Sequence, residues 1–366
     1  MESVQMLIKP SSGTCNMRCS YCFYWDEMEK RETKNFGFMT EETLECLVRR
    51  AFSSAGDQAG FTFQGGEPTL VGLPFYKRLM ELEEQYNVRR IPVANAIQTN
   101  GYGLNEEWSA FFAEHHFLVG ISLDGTKYTH DAFRLDGGGR GTFGAVMAAI
   151  GCLERHGVEY NILTVVNKRT AAAVRKLYAF YVKNGFQYLQ FIPCLDPLGE
   201  TPGGHGFSLT PEEYGEFLVQ LFDLWYVDLQ KGKQPFIRQF ENYVSILMGL
   251  PAEACDMRGC CSLQYVTEAD GSVYPCDFYV TEEFCLGNIR ERSLEELAES
   301  GEAKRFLAEG SLRAACAGCE YAFLCRGGCR RYWSGGANYF CPSYRRFFQA
   351  ALPRLQEIAG RLRRLR

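Results

Sequence analysis

Between about residues 40 and 195 the chain repeats one pattern, a helix-forming stretch followed by a short β-rich run. The spacing predicts helices over residues 40–55, 73–86, 106–114, 143–156 and 171–184, the first opened by Thr40 as N-cap with Glu42 and Thr43 behind it. It predicts strands over 60–64, 93–98, 117–123, 160–166 and 188–192. Strands alternating with helices of this length imply right-handed βαβ units and a parallel sheet. Residues 196–210, rich in Pro and Gly, interrupt the series and read as a loop; helices over 211–230 and 238–248 follow. Beyond Pro251 the texture changes to clustered cysteines with short strands and turns. The expected organisation is therefore an α/β domain over 1–250, a cysteine-rich domain over 251–345 and a C-terminal helix over 346–366. When parallel strands form a barrel, chemistry gathers at their carboxyl ends.

Ahead of the first repeat stands Cys15-Asn16-Met17-Arg18-Cys19-Ser20-Tyr21-Cys22. Iron–sulfur cubanes are normally held by four thiolates, so a loop offering three leaves one iron open to a ligand. A zinc loop, or three unrelated thiols, is the alternative; no histidine lies near this loop to complete a tetrahedron. Sixteen cysteines with no amino-terminal secretion signal point to metal or redox chemistry in a reducing, oxygen-poor cytoplasm rather than to a disulfide scaffold. A formal net charge of −5 gives no broad basic field for nucleic acid. No apolar run reaches the ~20 residues of a membrane-spanning helix, and the basic tail 361–366 reads as the solvated end of a helix.

A second thiol group lies near the C-terminus: Cys316-x2-Cys319-x5-Cys325-x3-Cys329, then Cys341, with Cys255, Cys260, Cys261 and Cys276 upstream. Two four-thiolate clusters would use eight of these nine. A pair of zinc sites is the rival reading, and a disulfide knot conflicts with a reducing compartment.

The C-x3-C-x2-C loop, with Tyr21 and Phe23 flanking its last cysteine, resembles the signature of radical S-adenosylmethionine enzymes. The resemblance implies a partial (β/α)6 barrel whose open iron chelates S-adenosylmethionine. It assigns Gly66, in Gln64-Gly65-Gly66-Glu67-Pro68, to the methionine amino group. Ser122 and Arg134 go to the carboxylate and ribose, Tyr24 and Leu195 to adenine or ribose. Without the family, Gly-Gly-Glu-Pro is a tight turn and Tyr24 and Leu195 are core residues. The C-terminal thiols resemble the SPASM domain, which carries two auxiliary 4Fe–4S clusters and brings the total to three. The same resemblance gives Cys255, Cys261, Cys276 and Cys329 to one and Cys316, Cys319, Cys325 and Cys341 to the other. Cys260, beside Cys261, competes for the iron; the assignment leaves Cys46, Cys152, Cys194, Cys260 and Cys285 as structural thiols.

More narrowly, Ser272-Val273-Tyr274-Pro275-Cys276-Asp277-Phe278-Tyr279 and Leu189-Gln190-Phe191-Ile192-Pro193-Cys194 resemble anaerobic sulfatase-maturating enzymes, as does Leu7-Ile8-Lys9-Pro10. The implied reaction oxidises one cysteine or serine of an unfolded sulfatase polypeptide to formylglycine. The implied partners are that polypeptide and an electron donor such as ferredoxin or flavodoxin. Asp277 is the candidate base; an aspartate that only satisfies backbone donors is the alternative. An ordinary aspartate (pKa ~3.9) suits a thiol (~8.5) poorly unless burial raises it. The competing function is a SPASM-type maturase of another ribosomally made peptide, for example one forming a thioether crosslink. Such enzymes often carry a leader-recognition segment, and no extra segment before Leu7 is read here.

Overall fold

The computed structural model describes residues 1–309 and 314–365; Arg366, the end of the basic tail, lies outside them. In chain order the strands that matter are β1 (Ser3–Ile8), β2 (Gln58–Phe63), β3 (Val93–Thr99), β4 (Leu118–Ser122), β5 (Tyr160–Val166), β6 (Tyr188–Pro193), β7 (Phe236–Ile237), β8 (Val266–Thr267), β9 (Ser272–Tyr274) and β10 (Gly287–Asn288). The chain packs as two compact units. The first comprises Met1–Ser122, Arg134–Tyr160 and Ser262–Glu309, the second Leu123–Phe133, Asn161–Cys261 and Gly310–Arg366.

In the first unit β1 to β4 run parallel and adjacent, as the alternation predicts. Val4, Met6 and Ile8 alternate inward along β1 and are fully or almost fully buried. On the other side of β1 lies β8, also parallel, with Ile8 opposite Thr267. From β8 the sheet continues antiparallel through β9 and β10. The chain after residue 262 thus adds three strands to the amino-terminal one, and sequence neighbours of Ile8 and Thr267 become spatial neighbours. The helix at Glu41–Ser54 starts where expected, because the Thr40 side chain accepts from the Thr43 amide. The helices at Leu73–Tyr86 and Glu106–Glu114 match their expected ranges.

In the second unit β5, β6 and β7 are parallel. Helices at Pro211–Leu229, Arg238–Leu247 and Cys341–Arg363 pack through rings, with Phe222 edge-on to Phe240 at 5.1 Å and Phe347 stacked on Phe240 at 5.7 Å. The last helix starts at Cys341, earlier than the sequence suggests. The single helix expected over 171–184 is two, Lys168–Ala172 and Val174–Lys183. Asn167 explains the early start, since its side chain accepts from the Arg169 and Thr170 amides in a capping box. No described helix is long and apolar enough to cross a membrane.

Candidate active site

The chain leaves β1 at Ile8 and forms the loop that carries Cys15, Cys19 and Cys22, closing into a short helix at Phe23–Glu29. Polar hydrogens point at the sulfurs: the Met17 amide lies 3.4 Å and Asn100 Nδ2 3.6 Å from Cys15 Sγ, and Arg134 Nη1 4.0 Å from Cys19 Sγ. Donors of this kind suit sulfur that carries negative charge, as in a cluster. The carboxyl ends of the neighbouring strands come to the same loop. Gly66 follows β2 with φ +50°, and a Cβ there would sit 2.3 Å from the Thr14 carbonyl oxygen, so only glycine fits. Glu67, fully buried, accepts from Thr69 N and Thr99 Oγ1 at 3.1 and 2.7 Å and from the Asn100 amide at 2.8 Å, tying the end of β2 to that of β3. Ser122 ends β4, and Arg134, almost buried, places its guanidinium 5.5 Å from the Tyr21 ring centre. Leu195 lies in the second unit just past β6 and is buried.

Asp277 sits beyond β9 and is 5% exposed. Its Oδ2 accepts from Tyr24 Oη at 2.6 Å and from Gln64 Nε2 at 2.7 Å, while Oδ1 has no hydrogen-bond partner among the described residues. Gln64 Nε2 also reaches Tyr24 Oη at 2.5 Å. Burial raises the Asp277 carboxyl above the ordinary aspartate range, against the opposing pull of Lys9 and the Tyr24 hydrogen bond. The alternative in which Asp277 serves backbone donors finds no support in these contacts, because both donors to its carboxylate are side chains. The sequence assigns Gln64 no role of its own; a polar residue just past the end of β2 is the signal that marks it.

Beneath this trio lies a buried charge cluster the sequence did not reveal. Lys9 Nζ is 3.5 Å from Glu27 Oε2, 3.3 Å from Glu268 Oε1 and 4.5 Å from the Tyr24 ring centre. Arg31 Nη1 pairs with the same Glu268 oxygen at 2.5 Å. The β1–β8 pairing creates it, since the Lys9 amide donates to the Thr267 carbonyl at 2.8 Å.

In the second unit Cys316, Cys319, Cys325 and Cys341 are mutual neighbours. The Cys325 thiol is pushed up to about 12, first by burial and then by Cys341, Cys316 and Cys319. Cys329 is likewise raised, by burial first and then by Asp256, Cys255 and Cys261. Cys276 belongs to the first unit. Thiols held neutral by burial and by one another favour the thiolate form only with a cation among them. Among the described residues no three His, Cys, Asp or Glu donors converge on a single-ion position.

Residues 10–181 match the model of the radical SAM superfamily, and 260–320 that of an iron–sulfur cluster-binding domain, SPASM. The chain is 48% identical over 370 residues to a cysteine-type anaerobic sulfatase-maturating enzyme of Clostridium novyi, covering 99% of both chains. The chain belongs to the anaerobic sulfatase-maturating enzymes. Within that family it is also 34% identical to a serine-type enzyme of Bacteroides thetaiotaomicron, over 96% of this chain and 90% of the relative. A solved structure of anSMEcpe with bound AdoMet and a peptide superposes with TM-score 0.94 at 42% identity, covering 98% of this chain and 99% of that one. The fold is accordingly the radical SAM α/β fold with a parallel sheet, its barrel partial and unclosed, followed by a SPASM domain. The anaerobic sulfatase-maturating fold expected from the sequence is the one observed.

Proposed function

We propose that this chain oxidises a cysteine of a sulfatase polypeptide to formylglycine. The observation that carries the reading is Asp277: a buried carboxylate with one oxygen pinned by Tyr24 and Gln64 and the other without a hydrogen-bond partner among the described residues, tied to the thiol loop through Tyr24, two residues past Cys22. Relatedness supports the cysteine rather than the serine substrate, since the cysteine-type relative is 48% and the serine-type one 34% identical. A relative solved with AdoMet and a peptide together supports both the cofactor and the substrate class.

The donor set fits the cofactors. Cys15, Cys19 and Cys22 would hold the cluster that leaves one iron open, and Gly66, Ser122, Arg134, Tyr24 and Leu195 would hold S-adenosylmethionine. Cys255, Cys261, Cys276 and Cys329 would hold one auxiliary cluster and Cys316, Cys319, Cys325 and Cys341 the other. When bound, these groups supply removal of a hydrogen atom from the substrate β-carbon and an outlet for one further electron. The chain's own contribution is at Asp277. Its free Oδ1 takes the thiol proton, leaving a carbon–sulfur double bond that water hydrolyses to the aldehyde with release of hydrogen sulfide. A carboxylate raised by burial is a better match for a thiol than an exposed one. Tyr24 and Gln64 fix which oxygen is presented.

The deciding experiment is anaerobic incubation with S-adenosylmethionine, a ferredoxin or flavodoxin type reductant and a short cysteine-type sulfatase peptide. Mass spectrometry should show a loss of about 18 Da, the difference between CH2SH and CHO. A loss of about 2 Da from the same peptide would indicate a crosslinking maturase instead, and no change would end the reading.

A further inference from the structure

The Lys9 ammonium has no part in the reaction as drawn, yet it is buried directly under the reacting carboxylate's partners. Its side chain is 2% exposed, and those of Glu27, Glu268 and Arg31 are 4%, 0% and 1% exposed. Its stem passes against Gly65, where an added Cβ would meet Lys9 Cε at 2.7 Å and Cγ at 2.8 Å. Gly65 follows Gln64, and the ammonium beyond it lies 4.5 Å from the centre of the Tyr24 ring. Lys9 therefore touches the elements that carry both donors to Asp277. The electron-rich ring face attracts the cation, and the Glu268 carboxylate at 3.3 Å holds it in place. Burial works against the charge, but Glu268 and Glu27 outweigh it and keep Lys9 protonated.

We propose that Lys9 is a positioning residue, whose ammonium, paired with Glu268, holds the Tyr24 phenol and the Gln64 amide on Asp277 Oδ2 so that Oδ1 faces the substrate. The proposal rests on Asp277 being the base. It separates Lys9 from an ordinary buried ion pair, whose loss would cost folded protein and leave the chemistry of the surviving molecules unchanged.

The test uses holoenzyme variants Lys9→Met, Lys9→Arg, Tyr24→Phe, Asp277→Asn and the double variant Lys9→Met/Tyr24→Phe, matched for iron content. The readout is 5′-deoxyadenosine released per formylglycine made, a ratio that a smaller folded fraction does not move. Misplacing a reacting group by about 1 Å costs up to ~100-fold, so Lys9→Met should raise the ratio about tenfold. Lys9→Arg keeps the charge and should stay within about threefold of wild type. Because Lys9 acts through Tyr24, the double variant should match Tyr24→Phe alone. A crystal structure of iron-loaded Lys9→Met should show Tyr24 Oη withdrawn from Asp277 Oδ2, from 2.6 Å to beyond hydrogen-bond reach. An unchanged ratio, additive effects in the double variant, or an unmoved phenol overturns the proposal. If Lys9→Met does not fold, Glu268→Gln removes the ionised partner, whose carboxyl Lys9 and Arg31 hold below the ordinary range despite burial. It should raise the ratio about threefold with Tyr24 present and not at all with Phe at position 24; no rise in either background overturns the proposal. Asp277→Asn working at the wild-type rate would instead remove the base assignment itself, whatever Lys9 does.

Discussion

A carboxylate in a dry site is useful as a base only while something keeps it ionised and aimed. The Tyr24 and Gln64 donors on Oδ2 work toward both for Asp277, favouring its charged form against the burial that raises it and fixing which oxygen is presented. Asp277→Asn keeps the shape and both donors' reach but cannot take a proton. General-base removal typically costs ~10²–10⁴ in rate, so formylglycine production should fall at least a hundredfold with iron content intact. Peptide mass spectrometry at matched iron checks it, and near-normal turnover would rule the role out. Cys260 and Cys261 pose a similar single-residue question. Cys261 is an electrostatic neighbour of Cys329, so Cys261→Ala should lose about four irons per chain and Cys260→Ala none. Iron analysis after anaerobic reconstitution decides between them, and equal losses would undo the assignment.

At the scale of elements, the ends of the strands do the positioning, and Glu67 shows how. Its carboxylate collects the Thr69 and Asn100 amides and the Thr69 and Thr99 hydroxyls, binding the turns after β2 and β3 into one floor beside Cys15. In Glu67→Gln one oxygen becomes a donor and must face another donor. Leaving a buried polar group unpaired costs about 1–3 kcal/mol, which for a protein of this size lowers Tm by several degrees, roughly 2–4 °C per kcal/mol. An anaerobic melt that coincides with wild type would contradict it. The helices and long strands here were legible because each carries a period: the helix at Leu73–Tyr86 was read to the residue. The three-thiol loop and the Gly-Gly-Glu-Pro turn were legible because their spacing is local. β7 to β10, two or three residues long, are too short to show a period. The Lys9 cluster was hidden for a different reason. Glu268 lies 237 residues from Arg31, and only the pairing of Ile8 with Thr267 makes them neighbours.

Across the whole molecule, that pairing leaves the first unit holding more buried acid than base. Glu27, Glu268 and Asp277 face Lys9 and Arg31, and the imbalance falls on Glu27. Its carboxyl is pushed up to about 8, first by burial, with Asp277 adding and Lys9 opposing. Elsewhere in the unit Glu83 is pushed up to about 7 by burial, against the Asn95 hydrogen bond. Both groups start from 4.5 in the unfolded chain. Between that value and their folded values the native state binds more protons than the unfolded state, so stability is lost as pH rises. Glu106 works in a separate window. Arg155 and then His156 lower it to about 2 from 4.5, so its contribution is lost only as pH falls below 4.5. The holoenzyme should therefore melt at a lower temperature near pH ~8 than near ~5.5. Glu27→Gln, neutral at every pH, should melt with wild type at the lower pH and above it at the higher, flattening most of the slope. Glu83→Gln should remove a smaller part, confined to pH below about 7. Anaerobic melting curves at fixed scan rate and iron content measure this directly, and parallel pH profiles for wild type and Glu27→Gln would show that the proton is held somewhere other than Glu27.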